Sequence, residues 1–562
     1  MYKHYRALLE LFDKDLKKKS IILICLMILS TLSELIAISI IPLFIDMLNK
    51  QDHIVFLFFD EFINLNQQNP LFDIGLLFCI ILMCTGVVKT LNLIFTQKYI
   101  YTVEMYLGQL LMKTYINRDY SWFINKDNTE LGKNILWEVM EVVNRFVMPL
   151  VLLFSNLITI FIIGLAVFIV NPEAMILITC VFLLIYVIIY LVVEKMLGKA
   201  SKERQFYNNE RFSIVGDTFK NIKYIIISNT KPFFEGEFKA VTKKFRDVQS
   251  SSQIAAHFPR SVIETFLFLV LIITLMFIPS VNVDSLPQVA LFLFAGMRLL
   301  PACQQVYFAF SQMKYSGEAV RSYISDVTKL NDDFKIFTEK KILQSLDLKD
   351  ISYTFPNSKK VNLSADSLHF EKGKMYGVIG KSGSGKTTLI DVISSLVTPQ
   401  KGSFFIDQNL VKNNQWFTSI SYVPQDVKLF KGTMRHNVVG SHERVNSECL
   451  LHAVEFAAAD DFFSADDDTV LNDNVSPISG GQKQRIGIAR AIYEGRKVLI
   501  LDEATGPLDQ ETEKRVMMNL SRLKHDKIVI VITHNKANTE FFDSIIKVKD
   551  GHCTQSDAPS KI

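Results

Sequence analysis

The sequence has 562 residues, of which 49% are apolar or aromatic and 21% are charged, and its formal net charge is +4. This composition is too apolar for an ordinary water-soluble enzyme and too charged for a protein that lies entirely in a membrane, so it indicates two unlike parts in one chain. It excludes a disordered chain, a disulfide-stapled miniprotein and a collagen-like repeat. The small net charge does not indicate nucleic-acid binding, and no nucleic-acid partner is expected.

The apolar residues concentrate in the part of the chain before about Leu330. Six stretches there reach the length of about 20 apolar residues that a bilayer span needs. They are roughly Ser20–Leu48, Leu71–Thr96, Phe146–Val170, Ala174–Val193, Phe258–Pro279 and Leu286–Phe310. Six such stretches predict an all-α transmembrane bundle, because so many apolar helices could not reasonably be buried in any other way.

Lysine and arginine are unevenly distributed among the segments that connect these spans. Residues 1–19 hold six of them, residues 98–145 six and residues 195–257 twelve, whereas residues 51–70 hold none. By the positive-inside rule, the N-terminus, the two long connections and the chain after the sixth span are cytoplasmic. We therefore expect a multi-pass protein of a bacterial inner membrane.

The two long connections are expected to be cytoplasmic extensions of the membrane helices. Helical patterning continues through Tyr99–Lys113 after the second span and through Glu194–Asn221 after the fourth span. The chain is then expected to turn near Asp119 and near Asn209, far from the bilayer. Two solvated loops are the alternative interpretation of these turns.

The sequence pattern changes after the sixth span. From Leu346 short apolar strands alternate with helices, which is typical of an α/β domain. We therefore expect a transmembrane domain at 1–325, a linker at 326–345 and an α/β domain at 346–562.

A phosphate-binding loop stands near the start of the α/β domain. The apolar strand Met375–Ile379 precedes GKSGSGKT and a helix, which is the context that the G-x-x-x-x-G-K-[ST] pattern requires. Backbone N–H groups of such a loop surround phosphate oxygens at the positive end of the helix. Lys386 can reach the β- and γ-phosphates, and the Thr387 hydroxyl can hold Mg²⁺. The predicted nucleotide-binding residues of this loop are Gly380, Lys381, Ser382, Gly383, Ser384, Gly385, Lys386, Thr387 and Thr388.

A second apolar strand, Lys497–Leu501, ends in two adjacent carboxylates about 115 residues beyond this loop. Asp502, at the strand end, is the predicted acidic partner of Mg²⁺. Glu503 is then placed to polarise a water molecule for attack on the γ-phosphate. Together with the phosphate-binding loop, these carboxylates predict an α/β domain of the P-loop ATPase type.

Another Gly-rich segment opens a helix between these two motifs. Ser479, Gly480, Gly481 and Gln482 precede IGIARAIY, and the free N–H groups and the dipole of such a helix start favour an anion. A single ATP does not require two phosphate-binding segments on one chain. We therefore expect this one to serve the ATP bound by a second copy; an ordinary Gly-rich helix cap is the alternative.

With these motifs the sequence resembles the ABC transporter family over essentially its whole length. The segment ISGGQ resembles the family's signature loop, Gln425 in YVPQD its Q-loop, Asp509 its D-loop and His534 in VITHN its switch histidine. The resemblance implies that Phe355 stacks on adenine and that His534 holds the γ-phosphate. It further implies bound ATP and Mg²⁺, with Glu503, His534 and Gln425 as catalytic residues and Thr387, Gln425 and Asp502 as Mg²⁺ ligands.

Six spans followed by one nucleotide domain resemble the half-transporter layout of ABC exporters of the type IV fold, which work as dimers. The two cytoplasmic turns then resemble coupling helices, the second docking on the partner's nucleotide domain. The D-loop reads GPLD where SALD is usual, and Asn535 follows the switch histidine where Arg is usual. Because Glu503 and the signature are intact, the resemblance favours a homodimer over a heterodimer with one degenerate site.

A few ionisable residues lie at the depth of the spans, where they are costly and suggest a function. They are Glu34, Lys89, Arg260, Glu264 and Arg298. Pairing between helices is one interpretation. The other is a cavity in which Lys89, Arg260 and Arg298 bind an anionic head group such as a phosphate or pyrophosphate.

The segments around these residues resemble bacterial lipid-linked oligosaccharide flippases of the PglK type, which tend to carry Arg where this chain has Lys89. The segments are Ser33–Pro42, Phe258–Glu264 and Arg298–Pro301. The resemblance implies ATP-driven movement of a polyprenyl-pyrophosphate glycan, or another amphipathic anion, to the outer leaflet. Alternatives with the same ATPase are a multidrug, lipid or peptide exporter; an alternative of another class is an ABC-type gated channel or regulator.

Overall fold

A computed structural model describes residues 2–50, 70–124, 126–170, 172, 199–277, 286–328, 344–355, 361–411, 419–440, 445–463, 470–471 and 478–557. The chain divides into two compact units. The first comprises Met1–Arg118 and Lys126–Asn331, and the second comprises Asp119–Asn125 and Asp332–Ile562.

Helices make up the described part of the first unit, and one short helix, α4, belongs to the second. In chain order they are α1 (Tyr2–Glu10), α2 (Lys14–Lys50), α3 (Pro70–Ile116), α4 (Tyr120–Phe123), α5 (a run of Asn128–Lys133, Val139–Val142 and Met148–Val170 joined by the π-helical turns Asn134–Glu138 and Val143–Val147), α6 (199–220), α7 (Ile222–Ile227), α8 (Lys231–Phe277), α9 (Leu286–Tyr315) and α10 (Gly317–Thr328).

Three segments of the described helices are long and apolar enough to cross a membrane: Lys14–Ile40, Gly75–Ile116 and Asn128–Ile169. They contain most of the first three predicted spans. The fourth predicted span, at 174–193, lies outside the described residues. The fifth and sixth lie on α8 and α9, except that residues 278–279 are again outside the described part.

The turn predicted near Asn209 is wrong. Residues 199–220 are helical throughout, and the chain reverses at 221–230, where α7 lies. The polar residues at 208–210 suggest a loop in sequence, but Asn208 is fully buried and Asn209 accepts a hydrogen bond from Lys133 on α5. Asn209 thus takes part in a polar helix–helix contact, and Asn208 is shielded from solvent.

Buried ion pairs join α5 to α6 at this contact. The Arg204 guanidinium of α6 is 3.1 Å from Glu138 and 3.4 Å from Glu141 on α5. Within α5, Lys133 Nζ is 3.5 Å from the same Glu138 carboxylate. A buried charge is costly unless it is paired or fully hydrogen-bonded, so the contacts of Arg204 fix the alignment of the two helices.

The second unit is an α/β domain built on a ten-stranded sheet. Its strands are β1 (Ser345–Tyr353), β2 (Leu363–Glu371), β3 (Met375–Gly380), β4 (Lys401–Ile406), β5 (Asn409–Val411), β6 (Ile420–Val423), β7 (Val498–Asp502), β8 (Ile528–Ile532), β9 (Ser544–Lys549) and β10 (His552–Asp557), in the order β5-β4-β1-β2-β10-β9-β3-β8-β7-β6. Its helices are α11 (Lys386–Ile393), α12 (Met434–Val439), α13 (Ser447–Phe456), α14 (Gly480–Tyr493) and α15 (Gln510–Leu523).

The central strands of this sheet are parallel. β3 pairs with β8, β8 with β7 and β7 with β6, all in parallel register. β7 and β8 are buried along their whole length, as their continuous apolar sequences require. The carboxyl ends of β6, β7, β8 and β3 therefore share one edge of the sheet.

Candidate ATP site

The predicted ATP-site residues follow the carboxyl ends of these four strands. The phosphate-binding loop follows β3, Gln425 follows β6, Glu503 follows β7 and His534 follows β8. This edge is where open parallel sheets bind their ligands. The sheet thus brings together residues as distant in sequence as Lys386 and His534, which are 148 positions apart.

The phosphate-binding loop requires glycine at two of its positions. A Cβ on Gly380 would lie 2.4 Å from the carbonyl oxygen of Val548, which no side chain can approach so closely. Gly385 has a φ of +106°, in the left-handed region that favours glycine, and it directly precedes α11. The backbone of the loop is therefore free to curve around an anion at the start of this helix.

Lys386 is held at the inner side of the loop. Its Nζ lies 3.2 Å from the carbonyl oxygens of Gly380 and Lys381. The hydroxyl of Ser384 is buried and has no hydrogen-bond partner among the described residues. A phosphate oxygen would satisfy this hydroxyl, so the loop fits the nucleotide that its sequence predicts.

Glu503 lies at the centre of a network of catalytic candidates. Its carboxylate accepts a hydrogen bond from Gln425 Nε2 at 2.8 Å and lies 3.5 Å from Lys386 Nζ. His534 Nε2 is 2.9 Å from the same carboxylate and 3.1 Å from Lys386 Nζ. One ring nitrogen cannot donate to Glu503 and accept from Lys386 at once, so the tautomer of His534 selects between these two contacts.

The backbone at Glu503 is strained. This residue has a φ of +50°, which costs a non-glycine residue about 1–2 kcal/mol. Its N–H donates to the carbonyl oxygen of Ile532 at 3.2 Å, which ties the turn to the end of β8. The turn thus directs the carboxylate toward the groups that follow the neighbouring strands.

Asp502 accepts a hydrogen bond from the Tyr422 hydroxyl at 3.0 Å. Burial raises the pKa of Asp502, and the adjacent Glu503 adds to this shift. Burial also raises the pKa of Asp391 on α11 to about 6, with a further contribution from the charge of Asp502. A bound cation would relieve this accumulation of buried carboxylates.

The donor set at this edge fits Mg²⁺, which prefers hard oxygen ligands. Thr387 offers a hydroxyl, Gln425 an amide oxygen that its bond to Glu503 leaves available, and Asp502 a carboxylate. No group of three His, Cys, Asp or Glu side chains that could hold a metal by themselves occurs within the described ranges. A cation here would therefore depend on the nucleotide's own oxygens.

The signature segment forms a complete helix cap. Ser479 caps α14 by accepting from the Gln482 N–H, and the Gln482 side chain accepts from the Ser479 N–H at 2.9 Å. A Cβ on Gly481 would lie 3.3 Å from the Pro507 carbonyl oxygen, so the unusual D-loop packs closely on the signature. Asp509 in turn caps α15 by accepting from Thr512.

Phe355, the predicted adenine-stacking residue, follows β1 and packs edge-on against Tyr353, with ring centroids 5.1 Å apart. Its N–H donates to the side chain of Asn362 at 3.0 Å. This position presents a partly buried aromatic ring beside the nucleotide-domain core.

In the first unit, two of the three predicted substrate residues share one carboxylate. Arg298 Nε donates to Glu34 at 2.6 Å and its Nη2 contacts the other carboxylate oxygen, while Lys89 Nζ lies 3.0 Å from Glu34. The Glu34 side chain is 5% exposed, whereas those of Lys89 and Arg298 are 47% and 45% exposed. Both cations therefore keep donors accessible in front of the buried carboxylate.

Arg260 and Glu264 are the other ionisable residues predicted at the depth of the spans. The side chain of Arg260 lies outside the described residues. Glu264 accepts a hydrogen bond from Gln304 at 3.4 Å. Glu34 thus forms the ion pairs between helices that were one of the two interpretations of these residues, since it contacts both Lys89 and Arg298.

Two residues of the ATP site could not be found from the motifs. Tyr422 bonds Asp502, and Gln484 on α14 donates to the Gln425 carbonyl oxygen at 2.5 Å. For Tyr422 there is one indication: it places a hydroxyl-bearing aromatic side chain in a strand whose other residues are buried. For Gln484 the sequence gives no such indication.

The fold and the site define a membrane protein with a nucleotide-binding domain. Residues 20–300 match the ABC transporter transmembrane region and residues 363–506 match the ABC transporter domain. The chain belongs to the ABC transporter family. As the motifs predict, a helical membrane domain precedes an α/β nucleotide-binding domain.

Individual relatives are similar over part of the chain. The ATP-dependent lipid A-core flippase of Vibrio vulnificus is 28% identical over 66% of this chain and 65% of its own length. The beta-(1→2)glucan export ATP-binding/permease protein NdvA of Agrobacterium vitis is 26% identical over 66% of each chain. The chain thus spans slightly less than two thirds of these curated relatives.

The solved structure of a bacterial Atm1-family ABC exporter with ATP bound matches 97% of this chain and 96% of its own, with a TM-score of 0.81 and 15% identity. This likeness establishes the fold.

Proposed function

We propose that this protein is an ATP-driven exporter or flippase that works as a homodimer by alternating access. The proposal of ATP hydrolysis rests on the contacts of Glu503 with Gln425, His534 and Lys386 at one edge of the sheet. These are the groups that positioning and activation of an attacking water require. The family membership supports the same activity.

ATP binding would exchange the contacts of Lys386. In the structure its Nζ is shared among two loop carbonyls, His534 and Glu503. The β- and γ-phosphate oxygens would take these hydrogen bonds, which releases the Glu503 carboxylate. Glu503 then accepts a proton from water as the water oxygen bonds to the γ-phosphorus and the bond to the β–γ bridging oxygen breaks.

The other residues support this step. His534 donates to the γ-phosphate, and Gln425 orients the water while remaining beside Glu503. Mg²⁺, held by Thr387, Gln425 and Asp502, would neutralise the negative charge that develops on the phosphate oxygens. Phe355 would stack on the adenine. These assignments rest on the family resemblance and agree with the positions of the side chains around the sheet edge.

A second copy would complete each ATP site with its own signature segment, Ser479–Gln482, and Asp509. The first unit also presents an apolar surface that suits such a partner: Ile227 of α7 is 85% exposed, and Phe219 and Phe233 are each 67% exposed. Because Glu503 and the signature are intact in every copy, both sites of a homodimer would be active. The positive-inside rule supports an inner-membrane location with both ATP sites in the cytoplasm.

The transported molecule would be an amphipathic anion, and we propose a polyprenyl-pyrophosphate glycan of the kind moved by PglK-type flippases. Lys89 and Arg298 keep exposed donors beside Glu34, so each chain offers a net charge of +1 to a phosphate oxygen. Arg260, on α8, is the third proposed contact. The names of the relatives, a lipid A-core flippase and a glucan exporter, support a lipid or glycan substrate.

Substrate-stimulated ATPase activity in lipid nanodiscs tests this proposal. We expect a polyprenyl-pyrophosphate glycan to stimulate ATP hydrolysis several-fold, and a neutral polyprenyl lipid of equal chain length to have no effect. Stimulation by neutral amphipathic drugs instead would favour a multidrug exporter. An ion conductance gated by ATP, without ATP-driven lipid movement, would favour the channel alternative.

A further inference from the structure

A carboxylate that the ATP-site motifs do not include lies behind the catalytic loops. Glu513, in the first turn of α15, is 8% exposed. Its Oε1 accepts from the Thr505 hydroxyl and from Asn538 Nδ2, both at 2.8 Å, and its Oε2 accepts from Asn535 Nδ2 at 2.9 Å. Neutral donors thus satisfy a buried charge that pairs with no cation in the described part of the chain.

These donors belong to the two loops that carry the catalytic side chains. Thr505 lies two residues after Glu503, and Asn535 directly follows His534. The backbone N–H of Glu513 donates to the carbonyl oxygen of Asp509 at 2.8 Å, at the cap of α15. The side chain of Glu513 therefore links the turn of the proposed base to the loop of the switch histidine, while its backbone is bonded to the D-loop residue Asp509.

The unusual Asn535 determines the chemistry of this link. An Arg at this position would offer an ion pair, whereas Asn535 offers one hydrogen bond from a side chain whose oxygen also accepts from the Ala537 N–H at 3.0 Å. The Asn535 side chain thus stabilises its own loop and contacts Glu513 at the same time. Its amide oxygen and its NH₂ group each have a partner, so the length of this side chain matters.

We propose that Glu513 is a positioning residue for ATP hydrolysis, which sets the distance between Glu503 and His534 through the hydrogen bonds of Thr505 and Asn535. This inference rests on the proposed ATPase function. Small displacements of reacting groups cost about 100-fold in rate per ångström, so loss of one of these bonds should reduce turnover without affecting ATP binding.

A swap of hydrogen-bond partners tests the proposal. In Glu513→Gln the amide oxygen can keep Thr505 and Asn538, but its NH₂ group then faces that of Asn535. We expect kcat for ATP to fall about 10- to 100-fold, with the ATP KM changed less than three-fold. Asn535→Asp alone places two carboxylates against each other and should cause a similar loss. The double variant E513Q/N535D restores a donor–acceptor pair and should recover most of kcat.

Controls separate this role from folding and from the wider proposal. Glu511→Gln removes an exposed charge from the same helix turn and should leave kcat unchanged. If E513Q does not fold, Asn535→Ala, at an exposed position, should still lower kcat several-fold. A folded E513Q or N535A with kcat within two-fold of wild type, or a double variant without recovery, overturns the role of Glu513. Wild-type protein without ATPase activity would contradict the proposed function itself.

Discussion

Replacing Arg298 by alanine tests whether the cations at Glu34 serve a substrate or only the packing of the helices. At about 3 Å and an effective dielectric constant of 20, each ion pair has a Coulomb energy of roughly 5 kcal/mol before desolvation. Breaking a buried pair typically costs about 3–5 kcal/mol. Because the Arg298 side chain is 45% exposed and Lys89 remains beside Glu34, we expect a loss of about 1–2 kcal/mol.

In R298A we expect substrate binding to be weakened more clearly than the stability of the protein. A hydrogen bond to a charged group contributes about 1.5–3 kcal/mol, so the dissociation constant of a polyprenyl-pyrophosphate glycan should rise about 10- to 100-fold in R298A. The double variant K89A/R298A leaves Glu34 buried without a cation and should be destabilised by about 3–5 kcal/mol. The triple variant E34Q/K89A/R298A should regain most of this stability because no buried charge remains.

Thermal unfolding in nanodiscs and equilibrium binding of a fluorescent polyprenyl-pyrophosphate glycan measure these two effects separately. We expect the triple variant to be nearly as stable as wild type and to bind the glycolipid as weakly as the double variant. If the triple variant recovers binding together with stability, the cations act only through helix packing. The assignment of Lys89 and Arg298 to the substrate would then be wrong.

Three further predictions concern the nucleotide-binding domain. Glu503→Gln should lower kcat for ATP about 10²- to 10⁴-fold without raising KM, because Lys386 loses a competing carboxylate; full turnover in steady-state ATPase assays would disprove the role of Glu503. Tyr422→Phe should raise the Mg²⁺ concentration for half-maximal ATPase activity about 10-fold, since Asp502 loses its orienting hydrogen bond, and an unchanged Mg²⁺ titration would contradict this. Because the pKa of Asp391 is raised to about 6 in the folded protein, its stabilising contribution is complete below its unfolded pKa and is lost as the pH rises through about 6. Asp391→Asn should therefore be more stable than wild type by about 1–2 kcal/mol at pH 8 but not at pH 4, in thermal unfolding without nucleotide and with chelator; an equal gain at both pH values would refute this explanation.

The nucleotide-binding domain is well predicted from the sequence because its signals are local. The phosphate-binding loop stands between a buried strand and a helix, and Asp502 ends a continuous apolar strand, so each motif identifies its own structural context. The parallel pairing of β3, β8, β7 and β6 then places Gln425, Glu503 and His534 at one edge.

Contacts between distant segments could not be predicted in the same way. Glu34 and Arg298 are 264 positions apart, and Lys89 could equally have paired elsewhere. From the sequence, Glu513 is expected to be an exposed acidic residue in the first turn of a helix. It is buried because the loops of Thr505 and Asn535, which precede and follow that helix, pack on it. Asn208 and Asn209 have the composition of a turn, yet both are helical on α6, where Asn209 accepts a hydrogen bond from Lys133 of α5.

ATP-driven movement of the glycolipid between leaflets tests the proposed function most directly. In proteoliposomes with the nucleotide-binding domains outside, a fluorescent polyprenyl-pyrophosphate glycan of the outer leaflet is exposed to a membrane-impermeant quencher before and after ATP addition. Wild-type protein should move it into the protected inner leaflet only with hydrolysable ATP. E503Q should move it about 10²- to 10⁴-fold more slowly, so that almost none is protected in the same time. Equal protection with E503Q, or with wild-type protein in the absence of ATP, would contradict the proposed coupling of ATP hydrolysis to export.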